Sequence, residues 1–313
     1  MDAFCRSESL DVGEPIAGSA VANTDVWLAL EYDHAWGAKA VTESGLPQAV
    51  VDRLEQWPKE IPGARVQLIR GGPTVAQPGS VTLLVGVSGL SSPGVVRLRL
   101  PTHEAAVELD VGGLVTALRC GEAFDGAEPV TKPVVLVCTN GKRDQCCAKW
   151  GLPIYNELAG YDGIECWQTT HLGGHRFAPT LLCLPEGICY GRLGLDDLEP
   201  LVRSLRDGAV FAPDRALRGR TCLSAAAQAA EVHWRASAET PGGAMLVAVA
   251  ERAQSRSDAA GGGPHPNTVV VTLTDGEGAT HVRCVQRRAL GRQARPSCAK
   301  LAAPVAGWFP LAT

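Results

Sequence analysis

PVVLVCTNGKRDQCC, residues 133–147, is the stretch on which the fold of this chain turns. Val134 to Cys138 form an unbroken apolar run, the mark of a short strand buried on both faces. Pro133 stands at its start, where a strand tolerates a missing amide hydrogen. The run ends on Cys138 and passes into a polar loop, Thr139 to Arg143. From there residues 144–159 follow helical periodicity, with Pro153 kinking or restarting the helix. A strand that feeds a loop and then a helix is half of an α/β unit, and such folds expose reactive groups at strand ends.

Outward from that stretch, IECWQTT (164–170), PTLLCLP (179–185) and ICYGRL (188–193) read as strands. LDDLEPLVRSLRDG closes the unit as an amphipathic helix, with acids in its first turn, basic residues in its last and Gly208 as its stop. The order is β-α-β-β-β-α. The same order is legible upstream: VWLALEY (26–32), a helix at about 45–57, ARVQLIRG (64–71), VTLLVGVSG (81–89), VVRLRL (95–100), and a closing helical segment from Thr102. SSPGVVRLRLPTHEA and LPEGICYGRLGLDDL match even locally, which indicates an internal duplication. Helices layered on a mixed sheet in this order suit a thioredoxin-like unit. The expected class is α/β (α+β): two tandem thioredoxin-like units, 1–120 and 121–213, followed by a small α+β module, 214–313. In the last, RTCLSAAAQAAEVHWRA is helical, AMLVAVAER, TVVVTLT and THVRCVQRR are strands, and DGEG is a hairpin turn. SRSDAAGGGPHPN (255–267) has the composition of a flexible loop.

The chain has 313 residues, 45% of them hydrophobic and 20% charged, as folded globular proteins do. A net charge of −4 gives no electrostatic reason to expect nucleic acid or an anionic membrane as partner. Acidic residues stand where a signal peptide would have its apolar core, and no apolar stretch approaches the ~20 residues of a membrane helix. The expectation is a cytoplasmic chain. There, eleven cysteines favour metal or redox chemistry over disulfides. Cys183, Cys189 and Cys284 lie in apolar or alternating runs and read as small core residues. Cys5, Cys120, Cys166, Cys222 and Cys298 are isolated and suggest no function.

The concentrated chemistry is CTNGKRDQCC (138–147) and HLGGH (171–175), each directly after a strand. Eight residues separate Cys138 from Cys147, wide for a zinc knuckle and long enough to wrap a small inorganic cluster. Gly173 and Gly174 let the backbone between His171 and His175 take positive φ and approach closely, so that amides can donate to bridging sulfides. Two thiolates and two imidazoles suit an iron–sulfur cluster or tetrahedral zinc, and spacing alone also leaves open no metal at all. Cys146 points about 100° away from Cys147 on a helix and is a buried neighbour or a reactive thiol. Arg143 and Asp144 read as a solvated pair and a helix cap, or Arg143 as a cation that stabilises an anionic cluster or docks a partner.

CTNGKRDQCC followed by QTTHLGGHRFAPTLLCLPEGICYGRL resembles the sucrase/ferredoxin-like family, whose motif is Cys, eight residues, Cys, a variable gap, then His-x-Gly-Gly-His. GEPIAGSA (13–20) and Trp36-Gly37 resemble its N-terminal region. There are two departures: Asn140 stands where members often have His, at a non-ligand position, and the 23 residues between Cys147 and His171 are a short gap for the family. The resemblance implies a thioredoxin-like ferredoxin domain at 121–213. It would carry a [2Fe–2S] cluster, with Cys138 and Cys147 on one iron and His171 and His175 on the other. Such ligation implies potentials of roughly −150 to +300 mV, against about −400 mV for all-cysteine plant-type clusters, and a potential that falls as pH rises. The implied function is one-electron transfer with a redox protein or small molecule as donor and acceptor. A zinc-stabilised interaction module and a thiol oxidoreductase using Cys146 and Cys147 are the alternatives. No Cys-x-x-Cys opens the helix, which counts against the last. No carboxylate pair is singled out for glycoside hydrolysis.

Overall fold

The computed structural model describes residues 4–72, 79–237, 246–253 and 267–311. After a short helix α1 (Cys5–Asp11), the first unit runs β1 (Val26–Glu31), α2 (Gln48–Glu60), β2 (Ala64–Arg70), β3 (Val81–Val87), β4 (Gly94–Leu100) and α3 (Val111–Cys120). A short strand β5 (Ala127–Pro129) leads into the second: β6 (Val134–Cys138), α4 (Gln145–Leu158), β7 (Glu165–Thr169), β8 (Thr180–Leu184), β9 (Ile188–Gly191) and α5 (Leu198–Arg206). The remainder is β10 (Leu217–Arg220), α6 (Ala225–Arg235), β11 (Leu246–Ala253), β12 (Thr268–Asp275), β13 (Thr280–Ala294) and β14 (Ala303–Leu311).

Both units have one topology. In each, the first strand pairs parallel with the second and antiparallel with the third, which pairs with the fourth. The units meet through their second strands: β2 and β7 pair antiparallel at Ile69–Thr169 and Arg70–Gln168. One ten-stranded mixed sheet results, in the order β10-β9-β8-β6-β7-β2-β1-β3-β4-β5. Its halves curl toward each other. Trp27 and Ala29 of β1 and Leu84 of β3 share a buried core with Val134, Leu136, Leu182 and Leu184, and Trp27 Nε1 donates to Thr221 Oγ1 at 3.2 Å.

The closing helix of the first unit differs from expectation. Thr102 opens only a 3-10 turn (His103–Ala106), and the helix proper begins at Val111. Asp110 caps it by accepting from Gly113 N at 2.8 Å, which offsets the low helix propensity of Gly112 and Gly113. The C-terminal strands form a separate four-stranded sheet, β11-β12-β13-β14. Its last strand carries Pro304 and Pro310 and lies at the edge, the position that tolerates proline. The expected loop at 255–267 lies outside the described residues except for Asn267. Helix α6 is buried almost all round, against β10 on one side and β12 to β14 on the other, and five of its eleven residues are alanine. Its buried Glu231 binds Arg220 and Arg235, each at 2.9 Å.

Candidate metal centre

β6 and β7 are parallel neighbours with Cys138 level with Thr169, so the loops that follow them leave the sheet at the same end. That register brings HLGGH, two residues beyond the end of β7, beside CTNGKRDQCC. The Thr139 amide donates to Thr169 O at 3.1 Å and continues the ladder past Cys138. Asn140 Nδ2 donates to Gly37 O at 3.1 Å, and Asn140 Oδ1 accepts from Arg143 N at 3.2 Å. Asp144 then caps α4 by accepting from Cys146 N at 2.9 Å. Cys147, in the first turn, is carried back over Cys138.

The return depends on Gly151. A Cβ there would overlap the carbonyl of Cys138, so the helix rests directly on the end of the strand. Gly151→Ala is expected to lift α4 from β6, destabilising the fold by about 1–3 kcal/mol and lowering metal content with it. Thermal denaturation and metal analysis of the one variant check both effects.

Cys138 Sγ lies 3.9 Å from His171 Nδ1, and Cys147 Sγ lies 3.8 Å from His171 Nδ1 and 3.6 Å from His175 Nδ1. The two imidazoles stack, with centroids 3.8 Å apart and an interplanar angle of 9°. Gly173 (φ +93°) and Gly174 (φ +75°) turn the backbone between them, the left-handed geometry expected of them. Cys138, Cys147 and His171 present ligand atoms all within 4.8 Å of one another. The donor set, two thiols and two imidazole Nδ1 atoms converging from two loops, is suited to a thiophilic metal or an iron–sulfur cluster. For Cys138, Cys147 and His171 the spacing is that of a single-metal site, while His175 approaches Cys147 and lies outside that mutually close set. Bond lengths of about 2.3 Å to sulfur and 2.0 Å to nitrogen put a tetrahedral S···N edge near ~3.6 Å, whereas a two-iron cluster holds its sulfur and nitrogen pairs further apart. His171 is half-buried and His175 is buried.

Electrostatics prepare the thiols. Hydrogen bonding from Cys147 holds the Cys138 thiol well below its ordinary range despite complete burial, with further help from His171. Hydrogen bonding with Cys138, together with burial, pushes the Cys147 thiol up. Burial lowers His175 to about 4, reinforced by His171. His175 is therefore neutral at physiological pH, the form that binds metal.

Arg218 on β10 lies beneath the HLGGH loop and is 1% exposed. It donates to Gly173 O at 3.0 Å and Ser19 Oγ at 3.1 Å, and also to Ser19 O. Burial lowers its pKa to about 10, which leaves it cationic at neutral pH. Nothing in its local sequence marks it, because its partners lie 45 and 199 residues away. On the solvent side, His171 borders a cavity of about 240 Å³ also lined by Lys39, Arg65 and Arg143. Arg143 is exposed at that rim and is not paired with Asp144. The expected solvated pair is thus corrected: Asp144 is buried and satisfied by Cys146 N, Cys298 N and Ser297 Oγ, while its capping role holds. Cys146 turns to the opposite side from Cys147, toward Cys5 and Cys298, two residues that sequence left without a role.

A family model described as sucrase/ferredoxin-like matches residues 18–219, and the chain belongs to that family. The match spans both units as far as β10 and leaves α1 and the four-stranded sheet outside it. No curated protein and no solved structure matches the chain. Among the described residues, no helix is long and apolar enough to cross a membrane.

Proposed function

We propose that this chain is a one-electron transfer protein holding a Rieske-like [2Fe–2S] cluster on Cys138, Cys147, His171 and His175. The observation that carries this function is the convergence of two thiols and two Nδ1 atoms at the ends of adjacent parallel strands, in a member of the sucrase/ferredoxin-like family. When bound, such a cluster supplies a centre that accepts and returns one electron. The buried cysteines exclude water from one side of the site, and Arg218 places a fixed positive charge beneath its anionic ligands. His171 and His175 would hold the cluster through Nδ1, the ring nitrogen that faces the thiols, leaving Nε2 to carry the proton. His171 gives the shortest route to solvent, and Lys39, Arg65 and Arg143 around it favour an anionic donor or acceptor, a small molecule or an acidic protein surface.

Zinc is the second reading, favoured by the short S···N separations, and it makes the chain a metal-stabilised interaction module. Anaerobic purification separates the two. A red-brown protein with equal iron and acid-labile sulfide, and a reduced electron paramagnetic resonance signal of low average g, is the expected result. Its potential falls as pH rises, because the oxidised centre releases the Nε2 protons more readily. A colourless chain with stoichiometric zinc and no iron overturns the electron-transfer function in favour of the zinc module.

A further inference from the structure

Cys5 at the start of α1, Cys146 in the first turn of α4 and Cys298 beyond the end of β13 are far apart in sequence and converge on one point. Their sulfurs form a triangle: Cys5–Cys146 3.4 Å, Cys146–Cys298 3.4 Å and Cys298–Cys5 3.6 Å. Asp144 faces it, with carboxylate oxygens 3.8 and 4.0 Å from Cys5 Sγ. All four ligand atoms lie within 4.8 Å of one another. We propose that Cys5, Cys146 and Cys298, with Asp144 as fourth ligand, bind a structural divalent cation of zinc type, separate from the site on Cys138, Cys147, His171 and His175.

The geometry is close to that of a tetrahedron around a metal. Zinc–sulfur bonds of about 2.3 Å place tetrahedral sulfurs ~3.8 Å apart, and a zinc–oxygen bond of about 2.0 Å gives an S···O edge of ~3.5 Å. A disulfide needs about 2.05 Å, and with three sulfurs at near-equal spacing no pair is singled out for one. The surroundings also suit thiolates. The Cys5 amide points at Cys298 Sγ at 3.5 Å, and the Arg6 amide donates to Cys146 Sγ. Phe4 and Trp150 meet edge-on at 5.0 Å and pack against the cluster as an apolar cover. Arg6 lies over the Trp150 ring and the Lys149 ammonium over the Phe4 ring, so two cations stand beside a ligand set that totals −2 with the metal bound. Hydrogen bonds from Cys146 N, Cys298 N and Ser297 Oγ hold the Asp144 carboxylate in place beside the three sulfurs.

Binding is a coordination step with no change of oxidation state. Each of the three thiols releases its proton to solvent, three per cation, and Asp144 enters as the carboxylate it already is. The consequence is mechanical: the ion fastens the N-terminal helix and the segment after β13 to the first turn of α4, one residue from Cys147. Neither Cys5 nor Cys298 lies within the residues matched by the family model.

The test uses the full chain with the other site emptied. Cys138→Ser/Cys147→Ser is expected to retain one zinc, replaceable by cobalt with strong thiolate-to-metal absorption. Adding Cys5→Ser or Cys298→Ser removes that equivalent, while Cys298→Ser alone leaves the iron and sulfide content of the wild type unchanged. A folded double variant that binds no zinc or cobalt overturns the proposal. In case those substitutions prevent folding, zinc-edge X-ray absorption on the wild-type chain reads the site directly. Three sulfurs and one oxygen support it. One zinc per chain with a shell of two sulfurs and two imidazole nitrogens, an absence of zinc, or a disulfide among these three cysteines in non-reducing peptide mapping sinks it.

Discussion

On the proposed function, Cys147→Ser is expected to abolish the visible colour and the reduced paramagnetic signal, whereas His171→Cys and His175→Cys are expected to retain a cluster at lower potential. The asymmetry follows from what each side chain contributes. Cys147 touches both histidines, at 3.8 and 3.6 Å, and is 1% exposed, so no other group can take its place there. Serine presents a harder, far less acidic ligand in a pocket closed to water, and iron content is expected to fall at least tenfold. Cysteine in place of either histidine keeps a thiophilic ligand and adds one negative charge, which favours the oxidised state. The potential then moves toward the all-cysteine range, roughly 100 mV or more downward, and loses part of its pH dependence because one Nε2 proton is gone. Direct electrochemistry at several pH values measures both. If neither histidine variant alters the spectrum or the potential, the imidazoles are not ligands and the electron-transfer assignment fails with them.

How much of this was legible beforehand depends on the range of the interaction involved. The strands of both units were visible because they are local: Val134 to Cys138, like Val26 to Glu31, announces a buried strand by composition alone. The ligand loops were visible because their chemistry is packed into ten and five residues. Helix α3 was hidden because Gly112 and Gly113 mask its apolar face, and the Asp110 cap that rescues it is a single side chain. Strand β14 was hidden by its two prolines, which an edge position tolerates. The join between units through Ile69–Thr169 and Arg70–Gln168 leaves no trace in either strand, since edge pairing uses backbone groups common to all residues. Cys5 and Cys298 lay beyond reach for the same reason: each is a lone cysteine in its own segment, and only the fold across 293 residues brings them together. Pattern carries local structure, while convergence of distant side chains has to be observed.

Arg218 shows what that distinction means for function, and its substitution is the second large effect. The guanidinium is buried and donates to Ser19 and to Gly173 O inside the histidine loop. Arg218→Leu keeps much of the volume but leaves those acceptors unpaired, at a cost of about 1–3 kcal/mol for each buried group. A total loss of about 3 kcal/mol is expected, seen as a lower midpoint in chemical denaturation. Loss of the buried charge also leaves the anionic ligand set uncompensated, so the added electron is less welcome. The potential should drop by on the order of 50 mV, close to a factor of ten in a one-electron equilibrium. Arg218→Lys separates the two effects. It retains the charge but not the planar fork that reaches both Ser19 and Gly173, so the potential should largely recover while the stability does not. Were both variants to match the wild-type potential, Arg218 would be a brace for the loop alone. If instead the potential follows charge and the stability follows shape, β10 sets the redox behaviour of a site whose ligands all lie in other elements.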